Sequence, residues 1–114
     1  MDTQSTSRRA DVRRLNDDFR CHNRGRGTRL HTHGVHEKGP QFVLAAYLIV
    51  REFNAFDDNS DPYREHDFGA FDLLGERLFF KIDYYDLERA AGSPNPADPA
   101  VTHRVLTIML ASEY

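Results

Sequence analysis

One apolar run constrains this chain more than any other feature. Phe42 to Val50 is nine residues long, and no longer uncharged apolar stretch occurs among the 114 residues. A membrane-spanning helix needs about 20 such residues, so we exclude a transmembrane protein. A chain of this length buries one modest core, and this run is the natural centre of it. We therefore expect a single domain over residues 1–114.

Cysteine usage and the first residues indicate the compartment. Cys21 is the only cysteine, which excludes a disulfide-stabilised scaffold. Residues 1–9 are polar and no apolar segment resembling a signal peptide follows them. We expect a cytoplasmic protein with no membrane contact. Because the chain also has no phosphate loop, dinucleotide glycine signature or nucleophile elbow, we expect no cofactor.

The front of the chain predicts a helix over residues 8–20, with Ser7 as its cap. Residues 1–6 are polar and are expected to be disordered. The apolar stripe of this helix consists of Val12, Leu15 and Phe19. Pro40 suits the first position of a helix, and the length of the apolar segment 41–54 predicts a second helix, the most buried one.

The tail predicts a third helix over residues 98–113. Asp98-Pro99 combines an acidic cap with a proline at the first helical position. The apolar face of this helix would consist of Val101, Val105, Ile108 and Met109. We expect it to pack flat on the sheet.

Strand signals are shorter. Residues 28–33 alternate and predict one strand, whereas residues 68–73 and 77–85 predict a hairpin joined at Leu74-Gly75. The expected fold class is α+β: a small antiparallel sheet of about three strands with helices packed on one face.

Charge is distributed unevenly. Residues 1–36 carry eight arginines and four aspartates, whereas residues 52–88 carry eleven acids and three bases. An acidic stretch of this kind can attract a basic protein and repel nucleic acid. We therefore predict a non-enzymatic interaction module with a protein partner and no direct DNA binding, such as an antagonist of a host nuclease or defence complex. The predicted binding residues are Asp57, Asp58, Asp61, Glu65 and Asp86.

An alternative is a small hydrolase or nuclease-like enzyme. Its candidate catalytic residues are His66, Asp67, Lys81 and Asp83, because a histidine beside carboxylates and a lysine can serve acid–base chemistry. Metal-dependent nucleases usually have an acid two residues before such a lysine, where this chain has Phe79. In the structural interpretation, Asp61 or Asp67 instead accepts hydrogen bonds from loop amides, while Lys81 and Asp83 form a surface ion pair.

Three histidines, His31, His33 and His36, lie within six residues. Zinc accepts imidazole ligands, but this spacing is not a standard one and no fourth ligand is evident. We expect no metal site here. The arginines of residues 8–29 are interrupted by aspartates and lack interleaved aromatic residues, so a solvated helix face is favoured over a phosphate-binding one.

Three motifs carry a family resemblance. They are Asp61-Pro62-Tyr63 through Glu65-His66-Asp67-Phe68-Gly69, the strand from Phe79 to Asp86, and the tail from Gly92-Ser93-Pro94 through Asp98-Pro99 to Leu110. In this order they resemble a bacterial domain of unknown function, the family numbered 3768, over about residues 15–114. The resemblance implies a small single-domain protein, often carried on plasmids or mobile elements, with no assigned activity.

The chain departs from this family at two places. Arg64 stands where the family usually has a glycine, which makes the loop before His66 bulkier. The histidines at positions 31, 33 and 36 stand where the family usually has small apolar residues, which indicates that they are no family site.

Overall fold

A computed structural model describes residues 3–114 of the chain, with side chains from residue 7 onward. In chain order the elements are α1 (Thr3–His22), β1 (Gly27–His31), α2 (His33–Glu37), α3 (Pro40–Glu52), β2 (Phe68–Leu73), β3 (Glu76–Tyr85) and β4 (His103–Leu110). Two 3₁₀ turns, Pro99–Val101 and Ala111–Glu113, flank β4. The α+β prediction is confirmed. Within the described part of the chain, no helix is long and apolar enough to cross a membrane.

The four strands form one sheet in the order β1-β4-β3-β2. β1 runs parallel to β4, whereas the other neighbours are antiparallel. The sheet is therefore mixed and has one strand more than expected. A parallel pair needs a long connection, and the whole segment from α2 to β3 separates β1 from β4 and supplies it.

The additional strand, β4, replaces the helix predicted for the tail. Asp98 does start a helical turn, since its carboxylate accepts a hydrogen bond from Ala100 N–H at 2.9 Å, but this turn ends at Val101. β4 then pairs with β3 along its full length. The segment is rich in β-branched residues, which favour strands. Pairing with the sheet therefore overrides the helical spacing of its apolar residues.

The predicted hairpin of β2 and β3 is confirmed. Its register runs from Phe68 opposite Lys81 to Leu73 opposite Glu76. Leu74 and Gly75 form the two-residue turn with φ of 50° and 83°. Positive φ at both positions is typical of the type I′ turn, whose twist matches that of the two strands.

The helices pack on one face of the sheet, as predicted, although α2 was not predicted and the predicted tail helix is β4. α3 begins at Pro40, and its buried side chains contact the same sheet face as Phe19 of α1 and Val35 of α2. The sheet supplies Phe71, Leu78, Phe80, Ile82, Leu106 and Ile108 to this core. The opposite face has no helix among the described elements, and the Tyr114 ring lies against Phe68 and Phe79 there.

α1 is longer than predicted. It begins at Thr3, so the predicted cap at Ser7 is wrong. Of residues 1–6, for which we expected disorder, Met1 and Asp2 lie outside the described residues and the other four have a helical backbone. The predicted stripe does face the core, since Val12 and Phe19 are buried.

Candidate functional site

The segment from Phe53 to Asp67, here called the His66 loop, joins α3 to β2 without a helix or strand of its own. Its buried anchor is Asp61, which is 3% exposed. The Asp61 carboxylate accepts hydrogen bonds from Glu65 N–H at 3.1 Å and from His66 N–H at 3.2 Å. These bonds confirm the prediction that an aspartate of the first motif fixes the loop backbone.

Two residues of the loop adopt a conformation that favours glycine. Arg64 and His66 have φ of 55° and 58°. Such a backbone costs a non-glycine residue about 1–3 kcal/mol and persists only where its surroundings enforce it. A glycine would adopt the backbone of Arg64 without this cost. In this chain the two hydrogen bonds to Asp61 help to hold the strained segment.

The His66 side chain is held by groups outside its own motif. Its Nδ1 lies 2.8 Å from Oδ1 of Asp17 on α1, and its ring stacks on Phe56 with centroids 3.9 Å apart. Asp61 Oδ2 lies 4.0 Å from His66 Nε2. A carboxylate at Nδ1 orients the imidazole and leaves Nε2 as the nitrogen that can act on a bound group. The ring faces an open depression of about 340 Å³.

Glu65 and Asp67 flank His66 and are both half-buried. Burial raises the pKa of Asp67, and the neighbouring Asp61 carboxylate raises it further. Burial likewise raises the pKa of Glu65, with contributions from Asp67 and Asp61. The Tyr84 hydroxyl donates to Asp67 Oδ2 at 3.3 Å, and burial raises the pKa of Tyr84, which keeps this hydroxyl a donor.

A buried polar network behind the loop was not predicted. Asn16 is fully buried, and its Nδ2 donates to the Tyr84 oxygen at 2.8 Å and to the Glu65 carbonyl at 3.0 Å. Its Oδ1 accepts from Arg104 Nε at 2.7 Å, while Arg104 also donates to the Pro96 carbonyl at 2.6 Å. Each member of the network thus gains a partner that replaces water.

One sequence signal could have identified part of this network. Asn16 lies four residues after Val12 and three before Phe19, on the buried stripe of α1, so its side chain had to find a buried partner. No comparable signal existed for Arg104, which becomes buried only because the tail forms β4.

Lys81 and Asp83 do not join His66 and Asp67. They form an ion pair at 2.9 Å on β3, where Lys81 is opposite Phe68 on the sheet face without helices. Asp67 contacts Tyr84 and so lies toward the helix-covered face. The four candidate catalytic side chains are therefore divided between two faces, and they form no common pocket.

The five predicted binding acids differ in exposure. Asp57 and Asp58 are exposed, Asp86 and Glu65 are half-buried, and Asp61 is buried. A binding residue must be exposed, so the prediction of Asp61 as one is wrong: its carboxylate accepts hydrogen bonds from the loop amides and does not contact solvent.

Asp57 and Asp86 each stabilise a turn. Asp57 Oδ1 accepts from Asn59 N–H and Ser60 N–H at 3.0 and 2.9 Å, and the bonds from Ser60 lower the pKa of Asp57. Asp86 accepts from Ala90 N–H at 3.0 Å. Asp58 Oδ1 lies 3.7 Å from an Arg64 nitrogen. Because this ion pair is exposed, Arg64 offsets the negative charge of Asp58 only weakly.

The three histidines lie in different elements. The predicted strand over residues 28–33 is shorter than expected, because β1 ends at His31. His33 and His36 belong to α2, so His33 is not on a strand with His31. His31 contacts His36 at 3.0 Å and the Tyr47 hydroxyl at 2.9 Å. In the described part of the chain, no group of three or more His, Cys, Asp or Glu side chains is arranged to hold a metal ion.

Comparison with known proteins identifies one family. The profile of the family described as "Protein of unknown function (DUF3768)" matches residues 31–113. The match covers most of the chain, so the chain belongs to this family and the predicted family is confirmed, although the match begins at residue 31 and not near residue 15. No curated protein and no solved structure matches the chain. The matched region contains the His66 loop but not Asn16 or Asp17 of α1.

Proposed function

We propose that the chain is a non-enzymatic protein-binding module. Its contact surface is the acidic rim, which consists of Asp57, Asp58 and Asp86. The observation that carries the proposal is the fixed conformation of the His66 loop, whose 15 residues have no regular structure yet are fixed from within by Asp61. Ordered loops of this length are uncommon and usually serve a function.

A fixed loop favours binding because little conformational entropy remains to be lost on association. Asp57 and Asp86 are already oriented by the turns that they stabilise. Asp86 follows β3 at the sheet end where the His66 loop enters β2. Asp57 and Asp58 line the depression at His66, near the same end of the sheet. The rim thus presents negative charge on a prearranged backbone.

The partner class follows from this charge. A basic protein surface, such as one that otherwise binds nucleic acid, would gain complementary charges and faster association by electrostatic steering. In this proposal the chain antagonises a host nuclease or defence complex by occupying that surface. DNA, being polyanionic, would be repelled.

A capture experiment with charge variants tests the proposal. Wild-type protein and the triple variant Asp57→Asn, Asp58→Asn, Asp86→Asn are used as baits in a lysate of the native host, and retained proteins are quantified. Asn keeps an acceptor oxygen for the turn amides, so the variant changes charge with little change in fold. Asp72→Asn is the matched control, because Asp72 is an exposed acid beside an arginine, as Asp58 is.

The proposal predicts a protein that the wild type and the control retain and that the triple variant loses. With that protein purified, the triple variant should associate more slowly, and the difference should shrink as salt is raised. Binding of the wild type to a short DNA duplex should be undetectable at about 0.15 M salt, where charges are screened beyond about 8 Å. Tight duplex binding, or a partner indifferent to all three charges, would contradict the proposal.

A second candidate is a hydrolase that uses His66 as its base. The observation in its favour is the 2.8 Å contact between Asp17 and His66 beside an open depression. Hydrolysis of activated ester and phosphodiester substrates should then depend on His66, and Asp17→Asn should shift the pH profile of the rate. Equal turnover by the wild type and His66→Ala would exclude it.

A further inference from the structure

A second surface of the molecule has the opposite charge from the acidic rim. A cleft of about 540 Å³ lies between the end of α1, the outer side of α3 and β1. Its cationic side chains are Arg20, Arg29 and Arg51, and none of its described lining residues is acidic. This volume is in the usual range of ligand sites.

Apolar side chains of α3 line the same cleft. Leu44 and Leu48 are 62% and 43% exposed, although α3 is the most apolar helix of the chain. They lie four residues apart on one helix face, with Tyr47 beside them. Large exposed apolar side chains beside cationic ones form an amphipathic surface that plain solvation does not explain.

Arg20 at the base of the cleft has one unsatisfied donor. Its side chain is 3% exposed, and it donates to the Val50 and Phe53 carbonyls at the end of α3. Its Nε is buried and has no hydrogen-bond partner among the described residues. An unpaired buried donor is costly. The rest of the guanidinium is already partnered, since Nη2 lies 3.4 Å from Asp17 Oδ1, so Arg20 is a structural part of the cleft wall.

The cleft continues toward the His66 loop. A second depression of about 560 Å³ shares Arg20, Cys21, His22 and Arg51 with the first. Asp17 and Glu52 also line this second depression, so the surface without acidic residues is the cleft itself.

We propose that this cleft binds an acidic peptide segment with apolar side chains. Its carboxylates contact Arg51 and Arg29, and its apolar side chains cover Leu44 and Leu48. Charge complementarity selects an acidic occupant, because three arginines and no acidic residue line the described part of the cleft, and the exposed leucines select an amphipathic one. This inference does not depend on the proposed function, which concerns a different surface and a basic partner.

The test uses a fluorescent peptide of alternating glutamate and leucine, and a second peptide in which every glutamate is replaced by glutamine. Fluorescence anisotropy should show the acidic peptide binding at least tenfold more tightly than the neutral one. Arg51→Gln should weaken binding of the acidic peptide about tenfold, since a charge-assisted hydrogen bond is lost. Arg77→Gln is the matched control, because Arg51 and Arg77 are each 54% exposed and each pair with one acid.

Leu44→Ser tests the apolar side of the cleft. It should weaken the binding of both peptides by a similar factor of about ten. Amide shifts in a nuclear magnetic resonance titration should map to residues 20–23 and 44–51. The proposal is overturned if the acidic peptide does not bind, if Arg51→Gln and Arg77→Gln have equal effects, or if the shifts map elsewhere. It is also overturned if a short single-stranded DNA binds more tightly than the peptide.

Discussion

Replacing Asp61 with alanine tests the structural core of the His66 loop. The change removes the acceptor of two backbone amides, Glu65 N–H and His66 N–H, which lie 3.1 and 3.2 Å from it. A buried donor left without a partner costs about 1–3 kcal/mol. Because Glu65 and His66 are only half-buried, water can partly replace the carboxylate. We therefore expect a loss of about 2–3 kcal/mol in the free energy of unfolding, measured by urea denaturation.

Asp61→Ala should also change the pKa values of two neighbouring carboxyl groups. The Asp61 charge raises the pKa of Asp67 and of Glu65, second to burial for Asp67. Removing that charge should lower both pKa values, which a carbon-detected magnetic resonance titration of the carboxyl groups can follow. Asp61→Asn separates the two roles, since it keeps an acceptor oxygen but not the charge. Asp61→Asn should lower the two pKa values as much as Asp61→Ala does, but it should reduce the free energy of unfolding by less.

Asp72→Asn, at an exposed acid of β2, is the control and should change neither quantity. The reasoning would be refuted if Asp61→Ala cost less than about 1 kcal/mol, because the amides would then need no acceptor. An unchanged pKa of Asp67 in both Asp61 variants would refute the electrostatic part alone.

Three further predictions concern the core, pH and metal. Ile108→Ala should cost about 2–5 kcal/mol in chemical denaturation, since Ile108 is fully buried beneath the helices; a change under about 1 kcal/mol would contradict that packing. Because burial raises the pKa of Asp67 in the folded protein, the wild type loses stability as the pH rises through that pKa. Asp67→Asn should therefore be more stable than the wild type at pH 7. The difference in stability should vanish at acid pH, where both side chains are neutral. Native mass spectrometry of untagged protein should show no stoichiometric zinc at His31, His33 and His36, and a chelator should not change Tm; one zinc per chain with a large chelator effect would contradict this.

Local signals predicted those elements whose partners are close in sequence. The β2–β3 hairpin needs only alternation and a turn that tolerates positive φ, and both are visible in the residues from Phe68 to Tyr85. α3 was equally accessible, because Pro40 marks its start. Asp61 could be assigned to the loop amides because an aspartate at a turn bonds to residues a few positions away.

The tail failed because its apolar spacing fits two structures. Val101, Val105 and Ile108 lie on one helix face, yet in β4 Leu106 and Ile108 face the helices while Val105 lies on the other face. Only the neighbouring strands β1 and β3 decide between the two, and β1 lies far away in sequence. The apolar spacing of the tail was compatible with a helix or a strand, and its position between β1 and β3 determined that it forms a strand.

The candidate site was predicted in part for the same reason. His66 and Asp61 belong to one motif and do lie together, but Asp17, which contacts His66, comes from α1. Lys81 and Asp83 form the ion pair of the structural interpretation, and the register of the hairpin places this pair on the sheet face without helices. The hypothesis that Lys81 and Asp83 join His66 and Asp67 required this ion pair to lie on the helix-covered face.

The hydrogen bond between Asn16 and Arg104 has a consequence for the order of folding. It joins residues 88 positions apart, whereas the β2–β3 hairpin closes over two residues. Closing the longer loop costs about 3 kcal/mol more chain entropy. The hairpin should therefore form early, and α1 with β1 should dock late, against a β4 that is already paired. In the native state the same junction should open before the rest of the sheet, so amide protons of α1 should exchange faster than those of β3.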